Sequence, residues 1–121
     1  MARGLILFAH GARDPEWARP FEAIRELVRA SRPEYRIELA YLEAMTPTLE
    51  EAIAALVQEG ALAVTVFPLF LAQGGHLKHD LPRMLEDIRA SHPRIPICLE
   101  SAIGDSPELR QAIADWVLSR S

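Results

Sequence analysis

Four short apolar runs alternate along the chain with four stretches in which apolar residues recur every three to four positions. The runs cover residues 4–9, 36–42, 63–71 and 95–100. Leu5-Ile6-Leu7-Phe8-Ala9 is unbroken, as expected of a strand covered on both faces. The second run keeps some alternation near its start and the fourth carries Pro96, so both read as edge strands. Short connections separate runs from stretches throughout.

The helical stretches carry their own punctuation. Asp14-Pro15 offers a cap and a helix start, after which Trp17, Phe21, Ile24, Leu27 and Val28 share one face. Pro20 fits only in a first turn, and Ser31-Arg32-Pro33 ends the helix. Thr46-Pro47 reads as cap and first helical residue of the second helix, with Glu50 and Glu51 at its positive end. Its stripe is Leu49, Ile53, Leu56 and Val57, and Gly60 terminates it. The third helix is predicted to bury Leu77, Leu81, Leu85 and Ile88, with Pro82 demanding an early position. Ser91-His92-Pro93 ends it. Asp105-Ser106-Pro107-Glu108 caps a last helix predicted to bury Leu109, Ile113, Trp116 and Val117. The Met and Trp residues fall on these stripes and read as core.

The order βαβαβαβα implies an α/β fold: a single domain over residues 1–121, with a four-stranded parallel sheet between two helical layers. Right-handed crossovers narrow the topology, and the flavodoxin-like order 2-1-3-4 is the expected one. Strands one and three then lie side by side, and their connections leave in opposite directions. A crevice opens at their carboxyl ends.

Composition changes this picture little. At 121 residues the chain is long enough for a core without disulfides. A net charge of −4 gives no basic footprint, so nucleic acid is not an expected partner. The one cysteine, Cys98, reads as a small buried hydrophobe in a strand. No apolar run approaches the ~20 residues of a membrane span. The first residues run directly into a strand with Arg3 before it, unlike a signal peptide, so a cytoplasmic protein is expected.

The candidate chemistry lies at the strand ends. His10-Gly11 follows the first strand. The third ends at Leu71-Ala72-Gln73-Gly74-Gly75, and His76 comes next. The glycines let the backbone turn sharply or approach a ligand. If the topology holds, His10 and His76 converge on one crevice. Paired imidazoles bind first-row divalent metals such as cobalt, nickel, iron and zinc. With an unperturbed pKa of ~6.5, imidazole also accepts protons near neutrality. Each histidine alone reads equally well as a hydrogen-bonded side chain at a strand end. Glu43 ends the second strand, as a third ligand, a proton acceptor or a solvated carboxylate. His79 lies about one helical turn beyond His76, and His92 before Pro93 reads as solvent-facing. Arg13 and Lys78 flank the two histidines, where they suit either an anionic substrate or plain solubility.

Other histidine and phosphate chemistries fit less well. Histidine phosphatases use an Arg-His-Gly motif, and Ala9-His10-Gly11 lacks the arginine. No Walker-type phosphate loop is present. A phosphoryl-receiver domain needs aspartates where this chain has His10.

Leu7-Phe8-Ala9-His10-Gly11-Ala12-Arg13, Tyr41-Leu42-Glu43 with Thr46-Pro47, and Pro68-Leu69-Phe70-Leu71 through Gly75-His76 to Asp80-Leu81-Pro82 together resemble the short-form sirohydrochlorin cobaltochelatases, class II metal chelatases. The resemblance covers essentially the whole chain. It implies insertion of a divalent metal into sirohydrochlorin, a tetrapyrrole with several carboxylates, on the way to cobalamin or sirohaem. It further implies that His10 and His76 bind the incoming metal, that His10 also accepts a proton, and that Glu43 stands near the metal. Thr46 and the loop of Leu71, Ala72, Gln73, Gly74, Gly75 and His76 match positions lining the macrocycle. Co²⁺ is the first expectation, with Fe²⁺ or Ni²⁺ as alternatives. Some nickel-inserting relatives carry a histidine where this chain has Gln73, which weighs against nickel. The metal is a substrate, so no tightly bound cofactor is implied. Longer relatives resemble two such lobes in one chain, so a homodimer is expected here. A non-catalytic carrier of metal or tetrapyrrole is the alternative from another class.

Overall fold

Residues 4–9 are buried without a break, which places their strand in the middle of the sheet. In the computed structural model, which describes residues 3–121, β1 (Arg3–Ala9) pairs in parallel with both β2 (Arg36–Tyr41) and β3 (Ala63–Pro68). β4 (Ile97–Leu99) pairs with β3, also in parallel. The order is β2-β1-β3-β4, as the connectivity predicts. Helices α1 (Arg19–Ser31), α2 (Leu49–Gln58), α3 (Gly75–Ser91) and α4 (Pro107–Leu118) follow the four strands in turn.

The pleat sorts the core into two clusters. Ile6, Phe8, Val64, Val66 and Ile97 face α2 and α3, whose Leu49, Ile53, Leu56, Leu81, Leu85 and Ile88 complete the larger one. Fully burying a side chain of this size is worth about 1.5–3 kcal/mol, so this cluster is the main source of stability. Leu5, Leu7, Ile37, Leu39 and Tyr41 face the other way, toward Trp17, Phe21 and Val28. Two arginines tie helix ends to the next strand. Arg29 donates to the Ile37 carbonyl (3.4 Å), and Arg89 donates two bonds to the Ile97 carbonyl (2.9 and 2.8 Å).

Several boundaries differ from expectation. The second helix is capped by Thr48, not Thr46. The Thr48 hydroxyl accepts from the Glu51 N–H while the Glu51 carboxylate accepts from the Thr48 N–H. Thr46 has Leu49 three residues on and can form no such reciprocal pair. Thr46-Pro47 is instead a cis peptide in the connection. β3 stops at Pro68 and β4 is only three residues long. Pro82 lies inside α3, on its exposed side, where water can reach the carbonyl that loses its partner. Asp14 caps a single 3₁₀ turn, Pro15–Ala18, and α1 starts after it with Pro20 in its first turn.

The larger departures are on one layer. α1 lies over β1 and β2, with Ile24 and Leu27 exposed. No residue of α4 is buried. Ile113, Trp116 and Val117 are 43%, 59% and 53% exposed, which overturns their reading as core. Cys98 is exposed as well. Its neighbours Ile97 and Leu99 point into the larger cluster, so the pleat turns Cys98 to the side that no helix covers.

Candidate functional site

The carboxyl ends of β1, β2 and β3 are joined beyond the strands themselves. The Leu42 N–H donates to the Ala9 carbonyl (2.9 Å) and the Glu43 N–H to the His10 carbonyl (3.0 Å). On the other side, the Leu69 N–H donates to the Phe8 carbonyl (2.8 Å). These bonds carry the ladder one step further and fix where His10 and Glu43 leave the sheet.

Their side chains meet. His10 Nε2 and Glu43 Oε1 are 2.9 Å apart, a hydrogen bond in which the ring nitrogen is the donor. His10 also stands edge-on to Phe70, with ring centroids 6.3 Å apart. Phe70 is buried and packs in turn on Phe8. The imidazole is therefore held between a carboxylate from β2 and an aromatic ring from the segment after β3. Both polar side chains remain open to water, at 53% and 63% exposure.

The backbone around Glu43 requires special conformations. Gly11 is buried at φ +92°, and Ala44 adopts φ +64°. A Cβ on Gly11 would collide with the Glu43 carbonyl oxygen. That oxygen also accepts from the Met45 N–H (2.8 Å). Glycine at position 11 thus allows the close approach that pairs His10 with Glu43.

His76 is the second residue of α3, in its exposed first turn, and His79 is exposed one turn later. Among the described residues no three His, Cys, Asp or Glu side chains form a metal-binding group. The structure thus brings His10 to Glu43 and leaves His76 outside their hydrogen-bonded pair. Arg13 and Lys78 are exposed, and neither is in an ion pair among the described residues. Thr46, Leu71, Ala72, Gly74 and Gly75 are exposed at the same end of the sheet, while Gln73 is half-buried. His92 is half-buried at the end of α3. A hollow of about 350 Å³ lies at this end between α2 and α3, lined by Phe8, Leu42, Thr48, Met84 and others, and neither His10 nor His76 lines it.

Two contributors escaped the sequence reading. Phe70 reads there as part of an apolar run and of the motif that carries the resemblance, with no role of its own. Gly104, in the 3₁₀ turn Ile103–Asp105, donates to the Phe70 carbonyl (3.1 Å), and a Cβ on it would collide with the Leu71 carbonyl oxygen. The turn after β4 therefore supports the start of the glycine loop from below.

The profile of the CbiX family matches residues 4–119. A sirohydrochlorin cobaltochelatase of Saccharolobus islandicus (strain L.S.2.15 / Lassen #1) is 39% identical over 82 residues, which is 68% of this chain and 62% of that protein. The sirohydrochlorin ferrochelatase of Bacillus subtilis (strain 168) is 28% identical over 113 residues, 93% of this chain and 43% of its own. The chain thus spans less than two thirds of the length of these relatives. A solved structure, a putative cobalamin (vitamin B12) biosynthesis CbiX protein from Marinobacter aquaeolei VT8, superposes with a TM-score of 0.82 at 38% identity. It covers 98% of this chain and 99% of that one.

Proposed function

The chain belongs to the CbiX family, and on that premise we propose that it is a metal chelatase inserting a divalent cation, Co²⁺ in the first instance, into sirohydrochlorin. The observation that carries this reading is the His10–Glu43 pair, open to solvent at the carboxyl ends of adjacent strands.

Insertion exchanges two pyrrole N–H protons for one dication, so the site must deliver a metal and receive protons. An imidazole with an exposed edge binds a first-row cation through nitrogen and releases it again. A carboxylate partner orients the ring and stabilises the imidazolium that forms when it takes a proton. His10 fills both roles, with Glu43 as its partner and His76, in the first turn of α3, as the second metal ligand. The openness of the pair suits a flat substrate larger than a closed pocket admits. Thr46 and the loop from Leu71 to Gly75 line the macrocycle, and Arg13 and Lys78 face its carboxylates. The metal is consumed as substrate.

Fe²⁺ is the second reading, favoured by the name of the Bacillus subtilis relative. Two imidazole ligands do not discriminate strongly between these cations, whose affinities follow the Irving–Williams order. The test is to mix metal-free protein, sirohydrochlorin and either Co²⁺ or Fe²⁺ and follow the absorption spectrum. Turnover many times beyond the protein concentration is the expected result. A spectral change that stops at one equivalent identifies a carrier and removes the enzyme reading.

A further inference from the structure

The hollow between α2 and α3 holds none of the proposed metal ligands, yet each of the site residues has a neighbour in its wall. Phe8 lies two residues before His10 on the same face of the chain. The Phe70 ring packs on both, its centroid 5.5 Å from that of Phe8 and 6.3 Å from that of His10. Leu42 immediately precedes Glu43. Along α3, His76, Asp80, Met84 and Asp87 follow one another at helical spacing, so one stripe runs from His76 down to the hollow. The hollow therefore opens alongside the site.

Its wall is apolar and its rim is acidic. Phe8, Leu42, Met84 and Ile88 supply carbon and one thioether, while Glu50 and Asp87 stand exposed beside them. Among the described residues no lysine, arginine or histidine lines it. At about 350 Å³ it lies at the small end of the ~300–1,000 Å³ range of ligand pockets, room for part of a tetrapyrrole. A carboxylate entering it would leave water, meet like charges at the rim and find no cation.

We infer that this hollow receives the ring methyl groups of the substrate and sets which face of the macrocycle meets His10. The inference rests on the chelatase reading above. Each reduced ring of sirohydrochlorin carries a methyl and a carboxymethyl group on one tetrahedral carbon, so the two leave on opposite faces. With the macrocycle over His10, one face places a methyl in the hollow and turns the carboxymethyl away from Glu50 and Asp87. The reverse face would lead with the carboxymethyl and is refused by those carboxylates. Met84 is the specificity residue, since its flexible, polarisable side chain moulds itself round a small apolar group.

The test measures binding of metal-free tetrapyrroles by fluorescence quenching, which does not depend on turnover. The probes are sirohydrochlorin and uroporphyrin III, which has the same carboxylates and no ring methyl. The wild type should bind sirohydrochlorin about 10–200-fold more tightly, the span that a methyl-sized difference commands in an apolar pocket. Met84→Trp fills the hollow and should erase most of that difference while leaving the affinity for uroporphyrin III unchanged. Met84→Ala enlarges the hollow without blocking it and should lose part of the preference. Asp87→Lys offers an entering carboxylate a cation and should narrow the gap from the other side, by tightening uroporphyrin III. Circular dichroism should show all three variants folded, as Met84 is only half-buried and Asp87 is exposed. Equal affinity of the wild type for the two probes overturns the inference, as does a preference that survives Met84→Trp. Equal losses on both probes in the two Met84 variants make the residue a general macrocycle contact and overturn it as well. Cobalt turnover by the wild type is measured alongside. Turnover without methyl discrimination removes this inference alone, whereas a wild type that binds neither probe removes the chelatase reading with it.

Discussion

Gly11 and the Glu43 backbone are in such close contact that a β-carbon on Gly11 would overlap the Glu43 carbonyl oxygen. The contact holds the end of β1 against the end of β2, and the His10–Glu43 hydrogen bond is built on it. Gly11→Ala adds both a collision and an unfavourable positive φ. It should destabilise the fold by about 1 kcal/mol or more. Because Glu43 must move, kcat for cobalt insertion should fall as well. Denaturant unfolding and kcat measured on the same preparation check this, and an active variant of unchanged stability would show that the contact relaxes freely.

The cap of α2 offers a cleaner stability test. Thr48 and Glu51 satisfy each other's backbone donors, while Thr46 makes no such bond. Thr48→Ala should lower stability by about 1 kcal/mol, the usual cost of an N-cap lost to alanine. Thr46→Ala should leave stability almost unchanged and act, if at all, on the KM for sirohydrochlorin. Denaturation midpoints of the two variants decide between the capping residues.

Arg13 and Lys78 are exposed and free of ion pairs among the described residues, so alanine at either should leave stability unchanged. If they meet substrate carboxylates, each substitution should raise the KM by roughly 1.4- to fivefold at low ionic strength, in keeping with the ~0.2–1 kcal/mol of an exposed charge pair. The difference should shrink as salt is added. Normal KM values for both variants at low salt would make them ordinary surface charges.

The sheet order was legible because it follows from strand count, short connections and chirality, and the hydrophobic stripes of α2 and α3 were legible because tertiary packing uses them as written. The stripe of α4 was read by the same rule and is exposed, since periodicity shows that a face is apolar but not which molecule covers it. Cys98 failed for a related reason: the pleat decides its side, and on that side the edge strand has no helix. Thr46-Pro47 reads as the cap because that dipeptide is a strong local signal. The Thr48–Glu51 reciprocity three residues apart is stronger. His10 and Glu43 stood out as strand-end residues, but their contact depends on Gly11 and on ladder bonds beyond the strands, which no local pattern announces.

The hydrogen bond between His10 and Glu43 makes a sharper test of the site than either residue alone. His10 is proposed to bind the metal and take a proton, so His10→Ala should lower kcat by about 10²–10⁴-fold, the usual span of general acid–base catalysis. Glu43→Gln keeps the size of the side chain but removes the charge behind the ring, and should cost about 10–100-fold, as loss of a ligand's carboxylate partner does. Since Glu43 acts through His10, the double variant should be little worse than His10→Ala; the two losses should not multiply. His76→Ala tests the second ligand independently, because His76 lies outside the hydrogen-bonded pair. It should reduce kcat and weaken Co²⁺ binding together. His79→Ala should have at most an intermediate effect and His92→Ala none, since His92 stands at the far end of α3. Circular dichroism should show every variant folded, as His10, Glu43, His76 and His79 are exposed and none of the five belongs to a core cluster. Losses that multiply in the double variant would mean that Glu43 acts on the metal or substrate directly. Wild-type turnover in both His10→Ala and His76→Ala would remove the two-histidine site altogether.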